Sequence, residues 1–205
     1  MSAPAAERPL LVVATLNASK GRELCRLLDG VPYEVRSLSE LPDASLPAEG
    51  LISYRENALL KARAAARFAR AVALADDSGL EVDALAGAPG VLSARFGGAG
   101  LDDAGRVRYL LEQLAGVEPR RRTARFRCVV ALADPRGEEL TVEGVVSGVI
   151  ADAPRGHGGF GYDSVFYYPP LQRTFAELTA DEKGTVSHRG RALEAARRLL
   201  SGQSR

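Results

Sequence analysis

The chain has 205 residues, of which 46% are hydrophobic and 26% charged, a composition typical of globular proteins. This composition excludes wholesale disorder, and the length suffices to bury a core. The formal net charge of +1 gives no overall basic field, so we expect no nucleic-acid partner and no binding to anionic membranes. Cys25 and Cys128 form no CxxC motif, which favours a reducing, cytoplasmic setting.

The start of the chain lacks the basic and apolar regions of a secretory signal peptide. No apolar run reaches the roughly 20 residues of a membrane-spanning helix. No internal repeat or linker divides the sequence. We therefore expect residues 1–205 to form a single domain, whose length also suits two closely packed lobes.

The first predicted element is the apolar run Leu10–Ala14, typical of a strand that is covered on both faces. A polar loop follows, and helical periodicity extends from Lys20 to Leu28. Such a loop leaves backbone amides at a helix start free to bind an anion, and Lys20 adds a positive charge. The loop lacks the Walker A pattern. It is either a phosphate-binding loop or a polar connection with a solvated lysine.

The second predicted helix follows a proline-containing connection with one short strand. Ser53 and Glu56 have the spacing of a capping box, and residues 57–70 are rich in strong helix formers. Lys61 on this helix either contacts the substrate or pairs with Glu56 at the surface. Glu49, just before the helix, either ligates a metal or faces water.

A second buried strand, Val72–Ala75, is predicted to end in the sequence Asp76-Asp77-Ser78-Gly79. Adjacent carboxylates that turn inward repel each other unless a cation intervenes. Mg²⁺ prefers carboxylates together with phosphate oxygens and water, so a strand end facing a cleft suits a magnesium site. The alternative is an acidic turn at the surface.

The second half of the chain predicts a helix over about residues 103–114, a long hairpin and a final helix over about 190–200. The hairpin follows from alternating residues in 124–132 and 140–149 on either side of a turn at 134–137. Arg125 and Arg127 are expected on its solvated face, which is favoured over a nucleic-acid contact. Helices that alternate with buried and half-exposed strands indicate an α/β fold with a mixed sheet.

Two groups of residues in this half suit a nucleotide base. Residues 156–163 are glycine-rich, and Phe160 and Tyr162 offer aromatic faces for stacking. His188 and Arg189 carry donors for acceptors on a purine edge. Alternatively, the loop is a glycine-rich turn, Ser187 caps a helix and the basic side chains are solvated.

In this order the motifs resemble those of the inosine triphosphate pyrophosphatase family, and its bacterial branch in particular. The ordered set is far more specific than any single motif. The segments that carry the resemblance span residues from about 10 to about 200. They are Thr15-x-Asn17-x-x-Lys20, Glu56-Asn57-Ala58-x-x-Lys61-Ala62, Ala75-Asp76-Asp77-Ser78-Gly79-Leu80, Ala88-Pro89-Gly90 with Ser93-Ala94-Arg95, Gly159-Phe160-Gly161-Tyr162-Asp163 and Ser187-His188-Arg189-Gly190.

The resemblance implies an α/β fold with two lobes around a long mixed β-sheet with flanking helices, an active site in the cleft between the lobes, and a homodimer. It implies Mg²⁺-dependent hydrolysis of ITP, dITP and XTP to the monophosphate and pyrophosphate. Asp77 would be the general base and a magnesium ligand, with Asp76 and Glu49 as further candidate ligands. The implied substrate-binding residues are Thr15, Leu16, Asn17, Ala18, Ser19, Lys20, Lys61, Ser78, Phe160, Gly161, Tyr162, Asp163, Lys183, His188 and Arg189.

The sequence departs from the family pattern before the second helix. The family often has paired acids followed by Thr-Gly there, whereas this chain has Ala48-Glu49-Gly50-Leu51, which leaves Glu49 alone. One rival function is a pyrophosphatase for modified pyrimidine nucleotides, which the Thr-x-Asn-x-x-Lys start disfavours. Another is a catalytically silent nucleotide-binding module, which the Asp76-Asp77 pair disfavours.

Overall fold

The computed structural model describes residues 8–48, 50, 53–98 and 100–202. The strands in these ranges form one seven-stranded sheet with the order β2-β1-β3-β4-β5-β6-β7. β1 pairs in parallel with β2 and β3, and every later pair is antiparallel, so the sheet is mixed. The strands are β1 (Leu10–Val13), β2 (Glu34–Ser37), β3 (Val72–Val82), β4 (Thr123–Ala133), β5 (Glu139–Ile150), β6 (Phe166–Tyr168) and β7 (Arg173–Thr174).

Helices flank this sheet, which confirms the predicted α/β class. They are α1 (Ala18–Leu27), α2 (Tyr54–Ala69), α3 (Asp103–Gln113), α4 (Ala180–Val186) and α5 (His188–Leu200). Ser53 caps α2 as predicted, because its Oγ accepts a hydrogen bond from the Glu56 amide at 3.1 Å. Within the described ranges, no helix combines the length and apolar character needed to cross a membrane.

The sheet is covered on both faces around β1, β3 and β4. On one face, alanines of α2 such as Ala58, Ala62 and Ala65 pack on alanines of β3 and β4. Small side chains on both elements permit a close approach of helix and sheet. On the other face, Leu24 of α1 and Leu193 of α5 pack on large residues of β1, β3 and β4. Burial on both faces explains why β1 and the first part of β3 lack simple alternation.

A separate, aromatic cluster lies at the far end of β3 and β4. Phe126, Phe166 and Phe175 contact one another in this cluster, which also contains Val107 and Leu110 of α3. The boundary between this cluster and the two clusters beside β1 lies along the middle of β3. Residues 76–79 therefore lie where the clusters meet.

The predicted end of the second strand at Ala75 is wrong. β3 continues to Val82, and each residue from Ala73 to Val82 has a partner on β4. The acidic pair thus lies inside a strand and not in a surface turn. The strand tolerates two buried carboxylates because cationic side chains from other elements contact them, whereas the sequence pattern shows only the local repulsion.

Two other boundaries differ from the sequence analysis. α5 begins at His188 instead of about residue 190, because Ser187 caps it by accepting a hydrogen bond from the Gly190 amide at 3.1 Å. α4, capped by Thr179, is an additional short helix. The predicted hairpin is confirmed as β4 and β5, which pair from Thr123 opposite Val149 to Ala133 opposite Glu139.

Candidate functional site

A cavity of about 370 Å³ lies beside the middle of β3, and residues of α1, β3, α3 and α5 contribute to its walls. Most of the residues predicted for substrate binding, and the predicted base Asp77, line this cavity, although they come from four separate parts of the sequence. Those predicted residues are Asn17, Ser19, Lys20, Asp77, Ser78, Phe160, Gly161, Tyr162, Asp163, Lys183, His188 and Arg189.

The remaining predicted residues lie behind or beside the cavity. Thr15 is buried and its Oγ1 accepts a hydrogen bond from the Asn17 amide at 3.2 Å. Leu16 is 50% exposed, and Ala18 is also exposed. Lys61 and Asp76 are buried behind the wall, and Glu49 lies outside the described residues.

The loop after β1 presents the start of α1 to the cavity. Asn17 caps this helix, with its Oδ1 accepting a hydrogen bond from the Lys20 amide at 3.0 Å. A helix start concentrates unpaired amides and partial positive charge, which favours anions. Lys20 extends from the same turn, and its Nζ lies 2.9 Å from Oδ1 of Asp76.

Asp76 forms ion pairs with Lys20 and Arg189, which come from opposite ends of the chain. Its Oδ1 faces Lys20, and its Oδ2 accepts a hydrogen bond from Nε of Arg189 at 3.1 Å. Burial alone would raise the pKa of Asp76, but Lys20 and Arg189 outweigh it and hold the pKa below its usual range. The Asp76 side chain is only 1% exposed and stays ionised.

Asp77 projects towards the opposite face of β3, where α2 lies. Its Oδ2 accepts a hydrogen bond from Nδ2 of Asn57 at 2.9 Å, and its Oδ1 lies 3.7 Å from Nζ of Lys61. Lys61 is 5% exposed, so the alternative of a solvated surface pair is wrong for this lysine. The neighbouring acids therefore have different surroundings because alternate strand residues point to opposite faces.

Gly79 permits a close approach between β3 and the segment at residues 88–95. A Cβ at this position would lie 2.3 Å from the Gly90 carbonyl oxygen, so a side chain does not fit. Ser93 completes this contact, because its Oγ accepts a hydrogen bond from the Leu80 amide at 2.8 Å. The Tyr162 hydroxyl donates to the Ser93 carbonyl oxygen at 2.8 Å, which fixes the glycine-rich loop to the same segment.

Phe160 forms an aromatic edge of the cavity and is 38% exposed. Two cations face its ring, with Nζ of Lys183 at 5.0 Å and the guanidinium carbon of Arg189 at 5.3 Å from the centroid. Asp163 is buried below, where its Oδ2 accepts hydrogen bonds from the Phe160 amide at 2.8 Å and from Lys183 at 2.5 Å. The exposed ring is thus available for stacking on a planar ligand.

His188 is 4% exposed and stacks on Phe126, with ring centroids 4.5 Å apart and planes 12° apart. Burial and the nearby Arg189 charge hold the pKa of His188 well below its usual value, so the imidazole is neutral. Arg189 is 2% exposed and also contacts Glu23 at 3.2 Å and Ser78 at 3.2 Å. The alternative in which these basic residues are solvated is wrong.

The cavity also includes or depends on residues that the sequence analysis did not select for the site. Asn57 was part of a motif, but nothing in its spacing indicated contact with Asp77. The other residues that were not selected are Glu23, Phe126, Asp103 and Arg106. They lie in elements with ordinary helix or strand patterns, and no local sequence feature distinguishes them.

Known proteins are similar to this chain over most of its length. A family model described as the Ham1 family matches residues 11–199. The chain is 50% identical to a protein from Desulforamulus reducens named dITP/XTP pyrophosphatase, over 93% of this chain and 95% of that protein. It is 44% identical to a protein of the same name from Bacillus subtilis, over 92% of this chain and 96% of that protein.

Solved structures agree with these sequence matches. A HAM1 protein from Coxiella burnetii superposes with a TM-score of 0.84 at 42% identity, covering 95% of this chain and 99% of that chain. A nucleoside-triphosphatase / dITP/XTP pyrophosphatase from Mycobacterium abscessus gives 0.73 at 46% identity, covering 91% and 98%. The resemblance found in the sequence motifs is confirmed, and the chain belongs to the Ham1 family.

Proposed function

We propose that the protein hydrolyses nonstandard purine nucleoside triphosphates, namely ITP, dITP and XTP, to the monophosphate and pyrophosphate. The observation that carries this proposal is the 370 Å³ cavity, which has a polar, charged wall and an aromatic wall. Lys20 and Asp77 lie on the first, and Phe160 lies on the second. A triphosphate and a purine require these two kinds of surface in one site, and the names of the relatives support the choice of base.

Magnesium is the metal that we propose for this site. No group of three or more His, Cys, Asp or Glu side chains suited to a metal occurs in the described part of the chain. This agrees with Mg²⁺ chemistry, because the ion often binds one or two carboxylates and completes its shell with water and substrate phosphates. Asp77 provides a carboxylate at the cavity wall. The bound ion would neutralise charge that develops on the leaving pyrophosphate.

The two further candidate ligands differ in what supports them. Glu49 precedes Gly50, whose backbone contacts Asn57 beside Asp77, and we keep Glu49 as the proposed second carboxylate. Both oxygens of Asp76 contact cationic side chains. These ion pairs favour a role for Asp76 in orienting Lys20 and Arg189 over direct metal binding.

Asp77 is the general base in this proposal. It would accept the proton of a water molecule that attacks the α-phosphoryl group, and the anhydride bond between the α and β phosphates would break. Lys20, Lys61 and the amides at the start of α1 would hold the phosphate oxygens and stabilise the departing pyrophosphate. Ser78 would contact the substrate beside the base.

The base would stack on Phe160, with His188 and Arg189 near its edge. ITP and XTP carry an oxygen at position 6 where ATP carries an amine, so a fixed hydrogen-bond donor there favours the oxygen. A donor left unpaired by the wrong base costs about 1–3 kcal/mol. Lys183 and Asp163 would keep the loop that bears Phe160 in place.

Pyrophosphate release from a panel of nucleotides tests the proposal. With Mg²⁺, we expect release from ITP, dITP and XTP far faster than from ATP or GTP. Equal rates for all five would contradict the purine selectivity. Inorganic phosphate as the direct product would contradict the reaction class.

We also propose that the protein is a cytoplasmic homodimer and that residues 1–205 form one domain. The family resemblance supports the dimer, and the free thiols of Cys25 and Cys128 suit a reducing compartment. Light scattering on the purified protein measures its mass. A monomer at working concentration would contradict the proposed assembly.

A further inference from the structure

Asp103, the first residue of α3, contacts a loop that is distant in the sequence. Its Oδ2 accepts a hydrogen bond from the backbone amide of Gly161 at 2.7 Å, between residues separated by 58 positions. Gly161 directly follows Phe160, the exposed aromatic ring of the cavity. Asp103 thus connects a packed helix to the part of the loop that bears this ring.

The Asp103 side chain is itself held in place. Nη2 of Arg106, one turn later in α3, contacts its Oδ1 at 2.6 Å, and Nη1 of Arg106 donates to the Leu101 carbonyl oxygen at 2.5 Å. Burial would raise the pKa of Asp103, but the Gly161 amide and Arg106 outweigh it and lower the pKa. The bond to Gly161 is therefore charge-assisted, which makes it stronger than a bond between neutral groups.

The helix does not need Asp103 as its cap, because Asp102 has that role. Oδ1 of Asp102 accepts a hydrogen bond from the Gly105 amide at 2.7 Å. Two adjacent aspartates at one helix start thus have different partners. Asp102 stabilises the helix, and Asp103 contacts the loop.

The loop at residues 159–163 depends on such contacts for its conformation. Gly159 and Gly161 have φ angles of 72° and 63°, values that glycine adopts easily both in the folded and in the unfolded chain. Phe160 is 38% exposed, so packing alone does not fix its ring. Asp163 binds the Phe160 amide, and Asp103 binds the next amide along the chain. Carboxylates therefore hold the backbone on both sides of Phe160.

We propose that Asp103 is a positioning residue that keeps the Phe160 ring preorganised for the base of the substrate. This inference rests on the proposed function for the role of the ring. Ordering the loop before binding lowers the entropic cost of binding, so loss of the contact weakens base binding. The phosphate wall lies elsewhere, so KM changes more than kcat.

The variants Asp103→Ala and Asp102→Ala form a matched pair, since both remove one carboxylate from the start of α3. We expect Asp103→Ala to raise KM for ITP about tenfold with kcat within about twofold, as for loss of one charge-assisted hydrogen bond. Asp102→Ala is expected to lower the melting temperature with KM unchanged. Asp103→Asn keeps an oxygen acceptor for Gly161 and should restore part of the affinity. An unchanged KM in Asp103→Ala, or equal rises in both alanine variants, would overturn the inference.

Amide hydrogen exchange tests the contact between Asp103 and Gly161 independently of catalytic activity. In Asp103→Ala we expect faster exchange in a peptide that covers residues 157–163, whereas Asp102→Ala should leave this peptide as in the wild type. Unchanged exchange in Asp103→Ala overturns the inference even if the enzyme hydrolyses ITP. If the wild type hydrolyses no triphosphate, the proposed function fails, and the exchange experiment still shows separately whether Asp103 orders the loop.

Discussion

Asn57 donates a hydrogen bond from its side-chain amide to Oδ2 of Asp77 at 2.9 Å, and it is 2% exposed. The same side chain forms two hydrogen bonds with the backbone of Gly50, at 2.8 and 3.2 Å. One asparagine of α2 therefore orients the proposed base and also holds the loop before the helix.

The first prediction concerns this asparagine. Asn57→Ala is expected to lower kcat for ITP by about 10- to 100-fold, because loss of an orienting partner disturbs a metal-binding carboxylate. Leu59→Ala is the control, since Leu59 is buried in the same helix among core residues of the α2 face. We expect that control to lower stability by about 2–5 kcal/mol and to leave kcat of the folded enzyme unchanged. Equal kcat losses in both variants would show that helix stability alone explains the effect.

The second prediction concerns the proposed base. Asp77→Asn keeps the size of the side chain and an oxygen acceptor for Asn57, but it removes the negative charge and the proton acceptor. We expect turnover to fall by at least about 100-fold, with a circular dichroism spectrum close to that of the wild type. A folded variant that retains most of the activity would remove Asp77 from this role.

The third prediction concerns the ion pairs behind the cavity. Asp76→Asn leaves Lys20 and Arg189 without their shared carboxylate, and Arg189 is buried. We expect the free energy of unfolding to fall by about 1.5–3 kcal/mol in urea titrations, because the buried Arg189 loses one of its two carboxylate partners and keeps only Glu23.

Asp181→Asn is the matched control for this loss. Asp181 pairs with Arg26 at the surface, where the aspartate side chain is 95% exposed. The same chemical change should lower stability far less there, since exposed ion pairs contribute little. Similar losses in the two variants would contradict the importance of burial for Asp76.

The fourth prediction concerns pH and His188. Burial lowers the pKa of His188, so the folded protein keeps it neutral while the unfolded chain takes up a proton below about pH 6.5. The contribution of the neutral His188 to the free energy of unfolding is therefore fully present above that pH and is lost as the pH falls. Between pH 6.5 and 5.5, the stability difference between wild type and His188→Gln should shrink by up to about 1.4 kcal/mol per pH unit.

The other histidine provides the matched control substitution. His157 is exposed, and His157→Gln makes the same chemical change at the surface. Unfolding free energies at pH 7.5, 6.5 and 5.5 give the comparison. A constant difference between wild type and His188→Gln would show that His188 does not contribute to the loss of stability in acid.

Several elements of this protein are determined by local sequence. The run at Leu10–Val13 has no alternating polar residues, so it predicts a strand that is covered on both faces. The Ser53 cap fixes the start of α2 through hydrogen bonds within one turn. The β4–β5 hairpin follows from alternation on either side of a turn. These features depend on neighbours within a few residues, so a pattern in the sequence is sufficient to predict them.

The different surroundings of Asp76 and Asp77 are decided only by the tertiary structure. In the sequence they are adjacent and identical, and the local chemistry predicts a shared turn. In the fold, β4 pairs with β3 beyond them, and the strand directs Asp76 to Lys20 and Arg189 but Asp77 to Asn57. The contact between Asp76 and Arg189 spans 113 positions. The sequence therefore determined most of the residues that form the site, whereas long-range packing added the others and decided the partner and charge state of each.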